Sequence, residues 1–420
     1  MDEAILHERT PDMASYQVPR GWVYGHIKGS AQRVLFPARY PWNLKVVKGR
    51  LVFVFPWGLP LLSLPAVAVA NSLGYVIAPK HIYNWDNEIR MQTVFTTFLS
   101  ALTICIGYQA ASSLLPISWS LGIALSEAFG TQMWSSVSRS PWAQTWHLFL
   151  VTAIILLLLR HLHRASLLAT LLVWAGFVRP MAGPTLFVVG VYILFELKSR
   201  VERTVYIATG LLWAGVLGAI MLFFVGQLLA PVYFPGLMTT KGVAEHLAGV
   251  LVSPGRGLLV YVPIVVVPLY LTARYWRRLP QRRLASLALA AILSTIVTLA
   301  CCHLWWGGHS YGPRNLAETV PWFSLLAILG IKAFLEDFHL TTNRRGALIG
   351  TAVLLLIVSI SINAPGALSW SWETSWNRTL ETDPDPADPD QLWDWRHPQF
   401  LAWLQESALS GVRTWNNGVR

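Results

Sequence analysis

The chain has 420 residues, of which 54% are hydrophobic and 13% charged, and it carries 21 tryptophans and a formal net charge of +11. With a mean hydropathy of +0.47, this excludes an ordinary soluble domain and a disordered chain, and points to a membrane protein. The positive charge does not imply nucleic acid as a partner, because the basic residues cluster in four short connectors: Arg160 to Arg164, Lys198 to Arg203, Arg274 to Arg283 and Thr342 to Arg345.

Taken from the start, residues 1–50 are polar and lack the basic start and apolar core of a cleavable signal. A broken apolar segment over 51–78 follows, with Pro56, Pro60 and Pro65, and it either spans, dips into the membrane or lies along its surface. Continuous apolar runs then predict spans near 91–113, 115–131, 145–160, 165–179, 182–197, 204–229, 256–273, 284–304, 318–335 and 346–364. Runs of this kind favour helices over a barrel. The expectation is an all-α polytopic membrane protein of about 10–11 transmembrane helices, with domains 1–50, 51–364 and 365–420. Cys105, Cys301 and Cys302 read as packing residues within or beside the apolar runs.

The four basic connectors fall on every second link, so the positive-inside rule places all four in the cytoplasm. The remaining links face out: 81–90, 135–147, 178–183, 230–255 and the stretch Trp305 to Asn315, WWGGHSYGPRN. The tail after Asn363 is then extracytoplasmic, and its DPDPADPD run forbids regular helix.

Two outer links share one construction. Ser253-Pro254-Gly255-Arg256-Gly257 and WWGGHSYGPRN are glycine-rich turns that each present one arginine, Arg256 or Arg314, at the start of an apolar run. The sequence leaves Arg314 two roles: a structural pair with Glu318 four residues on, or a contact to a phosphate. His309 and Tyr311 add donors for a phosphate or sugar hydroxyl, while Trp305, Trp306 and Tyr311 are also explained as interface anchors. Arg179 and Arg139 on two further outer links complete a candidate cationic rim. The candidate acids are Asp86, Glu88, Glu245 and Glu318 outside, with Glu127 inside a span. No metal-ligand spacing, phosphate-binding loop or nucleophile elbow is present in the sequence.

Taken in order, FPWGLPLLSLP, GTQMWSSVSRSPW, GFVRP, LVSPGRGLLVYVP, WWGGHSYGPRNLAETVPW and LWDWRHPQF resemble bacterial members of the GT-C glycosyltransferases. The resemblance is to the branch related to protein mannosyltransferases and aminoarabinose transferases, and it runs from about residue 40 to the end. It implies a GT-C-like fold in a bacterial inner membrane, and inverting transfer of a sugar from a polyprenyl-phosphate carrier to an acceptor on the outer face. By the same resemblance Arg256 and Arg314 would hold the carrier phosphate, and Arg179, His309, Tyr311 and Trp306 of the outer links are the further candidate binding residues read from the sequence itself. Glu318 or Asp86 would be the base. Membrane lipids are the expected surroundings, no cofactor is required, and the superfamily allows a divalent metal.

The chain departs from the family pattern in lacking an apolar span and acidic outer loop before residue 51, where Asp2, Glu3, Glu8 and Asp12 are the only acids. A histidine expected soon after Trp142 is displaced to His147. Two alternatives therefore stand beside the enzyme: a transporter or flippase for an anionic head group, and a truncated relative that binds without catalysis.

Overall fold

The computed structural model describes the chain except residues 19–20, 27–32, 42, 141–142, 161–162, 234, 309, 369–375, 377–388 and 404–420. The chain is predominantly helical, and among the described residues six helices are long and apolar enough to cross a membrane: Trp85–Ala111, Ala143–Arg160, Arg200–Phe224, Arg282–Ala300, Arg314–Leu335 and Thr342–Leu368. The other expected spans are shorter apolar helices, Gly58–Ser72, Ile117–Phe129, Ala165–Val178, Pro180–Glu196 and Pro263–Arg274. The apolar segments expected as spans are thus helical, six of them at full bilayer-crossing length and the others shorter. Residues 230–255, expected as a loop, include the helix Val243–Val252.

The chain divides into two compact units, Met1–Ile106 with Ser140–Leu237, and Gly107–Arg139 with Met238–Arg420. In the first unit the described part of the polar start carries secondary structure. A helix, Asp2–Glu8, precedes two antiparallel hairpins, Gly21–His26 with Arg33–Ala38 and Leu44–Val47 with Arg50–Phe53. The second hairpin turns through Lys48 and Gly49, both at positive φ (50° and 78°), which suits a tight two-residue connection. The Asp12 carboxylate accepts the Leu51 amide at 2.9 Å and so ties residues 10–13 to this hairpin.

The hairpin closes the end of a long helix. Arg200–Phe224 begins at Ser199 with a reciprocal capping box to Glu202. At its other end Lys48 Nζ donates to the Leu222 carbonyl at 3.2 Å and Arg50 Nη1 to that of Phe223 at 3.4 Å. Cations at the C-terminal carbonyls suit the helix dipole, and the Arg50 guanidinium also lies 5.2 Å from the centroids of the Phe223 and Phe224 rings.

In the second unit the helices have two distinct ends. At one, the connectors 275–283 and 336–345 meet at Asp337, which is 3% exposed. Its carboxylate accepts from Arg278 Nη1 and the Tyr275 hydroxyl, each at 3.1 Å, and its carbonyl accepts from Arg345. Burial works against the charge, but the bonds from Tyr275 and the His339 amide, together with Arg278, outweigh it and hold the Asp337 carboxyl below the ordinary carboxylate range. Two of the basic connectors expected on one side of the membrane therefore do share one end of this unit.

The expected span 256–273 is broken into Leu258–Tyr261, Pro263–Val265 and Val266–Arg274. Proline at 263 cannot donate to the helix ladder, and backbone groups so released must find partners away from water. Helix Thr342–Leu368 supplies them: Ser359 Oγ accepts the Ile264 amide at 3.1 Å, and Asn363 Nδ2 donates to the Tyr261 carbonyl at 2.8 Å. Both side chains are fully buried. Of the cysteines, Cys302 is buried and Cys301 partly so, whereas Cys105 is exposed and not packed as expected.

Candidate functional site

The end of the second unit opposite Asp337 gathers the two glycine-rich loops. Ser253 starts the first: its Oγ accepts the amides of Gly255 (3.1 Å) and Arg256 (3.2 Å), and its carbonyl accepts that of Gly257 (2.7 Å). This tight turn aims Arg256 inward. The guanidinium, 1% exposed, donates from Nε to the Trp306 carbonyl (3.0 Å), from Nη2 to that of Gly308 (3.2 Å), and from Nη1 to the Gly255 carbonyl and Gln399 Oε1 (both 2.8 Å). The Trp376 ring centroid lies 5.2 Å from the guanidinium carbon. One buried charge thereby joins the first loop, the second loop and the C-terminal segment, each bond to a charged donor being stronger than a neutral one.

The second loop has three glycines at positive φ, Gly307, Gly308 and Gly312. Gly312 is doubly constrained, because a Cβ there would meet the Tyr261 ring at 2.6 Å. Tyr311 is buried, packs edge-on against Tyr261, and donates its hydroxyl to the Ile362 carbonyl. Its ring presses on Gly366, where a Cβ would come within 2.3 Å. Trp305 and Trp306 are also buried in the unit, so these three aromatics shape the loop from within and do not act as interface anchors. Ser136 donates to the Tyr311 carbonyl at 2.9 Å, and Arg139 to the carbonyl of Gly366.

Arg314 is half-buried and its Nη2 donates to the Gly307 carbonyl at 2.8 Å. Residues Arg314–Thr319 wind as a 3₁₀ helix, and the α-helix begins only at Val320. The four-residue spacing that would align Arg314 with Glu318 on an α-helical face is therefore absent at that turn. Glu318 is buried at 4% exposure.

The structure thus brings together Arg256, Arg314, Trp306, Tyr311 and Glu318 within the second unit. Asp86 and Arg179 belong to the first. Asp86 is exposed on the opening turn of Trp85–Ala111, where the neighbouring Glu88 accepts from Tyr83 and from Gln92 Nε2 (2.8 Å). Burial and that bond to Glu88 push the Tyr83 hydroxyl well above its usual range. Arg179 ends the helix Ala165–Val178, its amide on the Ala175 carbonyl at 3.0 Å. His309 lies outside the described residues.

Sequence reasoning missed Gln399. Its Oε1 accepts from Arg256 and from the Gly312 amide (2.8 Å), and its Nε2 donates to the Ser310 carbonyl (3.0 Å), all at 2% exposure. The segment carrying it is pinned by the Leu392 carbonyl, which accepts from Ser253 Oγ at 2.6 Å, and by Trp376 Nε1, which donates to the His397 carbonyl at 3.0 Å. Asp394 closes the turn on His397 Nδ1 (2.8 Å) and the Arg396 amide (2.8 Å), and these bonds, that to His397 foremost, hold its carboxyl below the ordinary range.

Among the described residues no three His, Cys, Asp or Glu side chains come together in a metal-binding group. No protein family, curated protein or solved structure matches the chain.

Proposed function

We propose that this chain is a membrane glycosyltransferase of GT-C type, moving a sugar from a polyprenyl-phosphate carrier to an acceptor at the outer face of a bacterial inner membrane. The observation that carries this reading is the joining of the SPGRG and WWGGHSYGPRN loops through Arg256, with Arg314 presented beside them at a helix start. The acceptor hydroxyl attacks the anomeric carbon, the bond from that carbon to the phosphate oxygen breaks, and polyprenyl phosphate leaves. The hydroxyl proton passes to a carboxylate, for which Glu318, in the same unit as Arg256 and Arg314, is the candidate. Arg314 stabilises the charge that grows on the leaving phosphate, the kind of preorganised electrostatic contribution that dominates many enzymes.

Binding of an undecaprenyl-phosphate-linked sugar to the protein in lipid nanodiscs tests this reading. Wild type should bind, and Arg314→Ala should bind at least tenfold more weakly, roughly the loss of one charge-assisted contact. A folded wild type that ignores the lipid overturns it.

A second reading, passage of an anionic head group through the membrane, is favoured by Glu127. This carboxyl is buried in Ile117–Phe129 and accepts from Ser324 Oγ at 2.9 Å, and ionisable groups inside spans mark transport paths. Lipid-phosphate translocation that is lost in Glu127→Gln, with no sugar transfer in wild type, would favour it.

A further inference from the structure

The end of the chain puts a neutral side chain where an anion would fit. Gln399 Oε1 receives two donors at 2.8 Å, the Arg256 Nη1–H and the amide of Gly312. A guanidinium and a glycine amide converging on one oxygen are the components of an oxyanion site. The point on which they converge is held by a carboxamide oxygen, which carries only partial negative charge.

We propose that Arg256 and Gly312 form a subsite for one phosphate oxygen of a lipid carrier, and that Gln399 occupies it in the closed state and withdraws when the lipid binds. This rests on the carrier reading above and adds to it a gate built from the chain's own C-terminal segment.

The construction of the segment favours an occupant that can leave. Trp395, Arg396 and His397 are exposed, whereas Pro398 and Gln399 turn in beneath them. The segment enters as a hook and not as part of the helix bundle. Its anchors precede Gln399 in the chain, the Leu392 carbonyl on Ser253 and the His397 carbonyl on Trp376, with Asp394 closing the turn on His397 between them. A phosphate group is anionic and a carboxamide is neutral, so its oxygens form stronger bonds to the same two donors and displace the amide. A glutamate at 399 would instead pair with Arg256 as an ion and seal the site. Trp376, stacked on the guanidinium, keeps Arg256 oriented when the amide withdraws.

The test compares full-length wild type, Gln399→Ala and Gln399→Glu in nanodiscs, with undecaprenyl monophosphate and inorganic phosphate as separate probes. Gln399→Ala should bind the lipid about tenfold more tightly than wild type and Gln399→Glu about tenfold more weakly, each about 1.4 kcal/mol by the affinity relation. In wild type the lipid should also speed hydrogen exchange over residues 392–403. Equal binding by all three overturns the gate and leaves the carrier reading intact. Binding of inorganic phosphate by Gln399→Ala without binding of the lipid keeps the oxyanion subsite and rejects the lipid as its ligand. Binding of neither probe by folded protein rejects both. Should Gln399→Ala fail to fold, the wild-type exchange measurement decides: unchanged or slowed exchange over 392–403 with the lipid overturns the gate.

Discussion

Asn363 holds the broken membrane segment together by donating its Nδ2 to the Tyr261 carbonyl at 2.8 Å while its Oδ1 accepts from Ser135 Oγ at 2.6 Å. Replacing it by leucine keeps the branched shape, though with a bulkier side chain, and removes every one of these bonds. Asn363→Leu should cost about 2 kcal/mol, the scale of a buried polar group left unsatisfied, somewhat tempered in a membrane where other partners are found. Unfolding midpoints in mixed micelles measure it, with exposed Leu354→Ala as the neutral reference. Identical midpoints for Asn363→Leu and wild type would remove the account of how the break is tolerated.

Gly312 and Gly308 make a matched pair. Both have positive φ, but a Cβ at 312 meets the Tyr261 ring at 2.6 Å whereas one at 308 meets open space. Gly308→Ala should cost about 1 kcal/mol from the backbone alone, and Gly312→Ala about 2–4 kcal/mol once overpacking is added. Equal costs would show that the ring does not press on the loop.

Asp337 gives the connector end a pH dependence. Its carboxyl is held below the ordinary range in the folded protein, so its stabilising contribution is complete above the unfolded value of about 3.9 and is lost as pH falls through the lower folded value. Wild type should therefore lose stability on acidification below about pH 4, and Asp337→Asn should show a flatter decline there while keeping a side chain that can accept from Tyr275. Parallel pH profiles would contradict the ion pair with Arg278.

Arg50 caps the helix Arg200–Phe224 through one carbonyl and two aromatic rings. Arg50→Ala should lower stability by about 1 kcal/mol, and Arg50→Lys should recover part of it, because the charge remains near the helix end while the planar stacking is lost. Thermal unfolding followed by tryptophan fluorescence reads the series; no difference between alanine and lysine would mean that charge plays no part.

The helical character and the positions of most apolar segments were legible in the sequence, since continuous apolar runs admit few alternatives in lipid. The breaks were less so. Pro263 marks an interruption, but Ser359 and Asn363, which make it tolerable, lie about a hundred residues away, and no local pattern announces the pairing. The hairpin over residues 44–53 was overlooked although LKVVKGRLVF has β-branched residues on both sides of a Lys-Gly turn. At the site, the glycine and arginine pattern correctly picked out two loops that meet. It gave no indication that Arg256 would be enclosed by carbonyls, because carbonyls are the same at every residue. Gln399 was invisible for a related reason: a single glutamine in an aromatic tail has no signature until the fold brings it to a charge.

Arg256 and Gln399 are 143 residues apart in the chain. A ribosome adding about 5–20 residues per second makes the arginine well before the partner that completes its ring of acceptors. For that interval the loop carries a charge that neither its own turn nor the helices already inserted can fully enclose. Until the segment that carries Gln399 has been made, the loop presents an open cationic notch, and the arrival of that one side chain closes it.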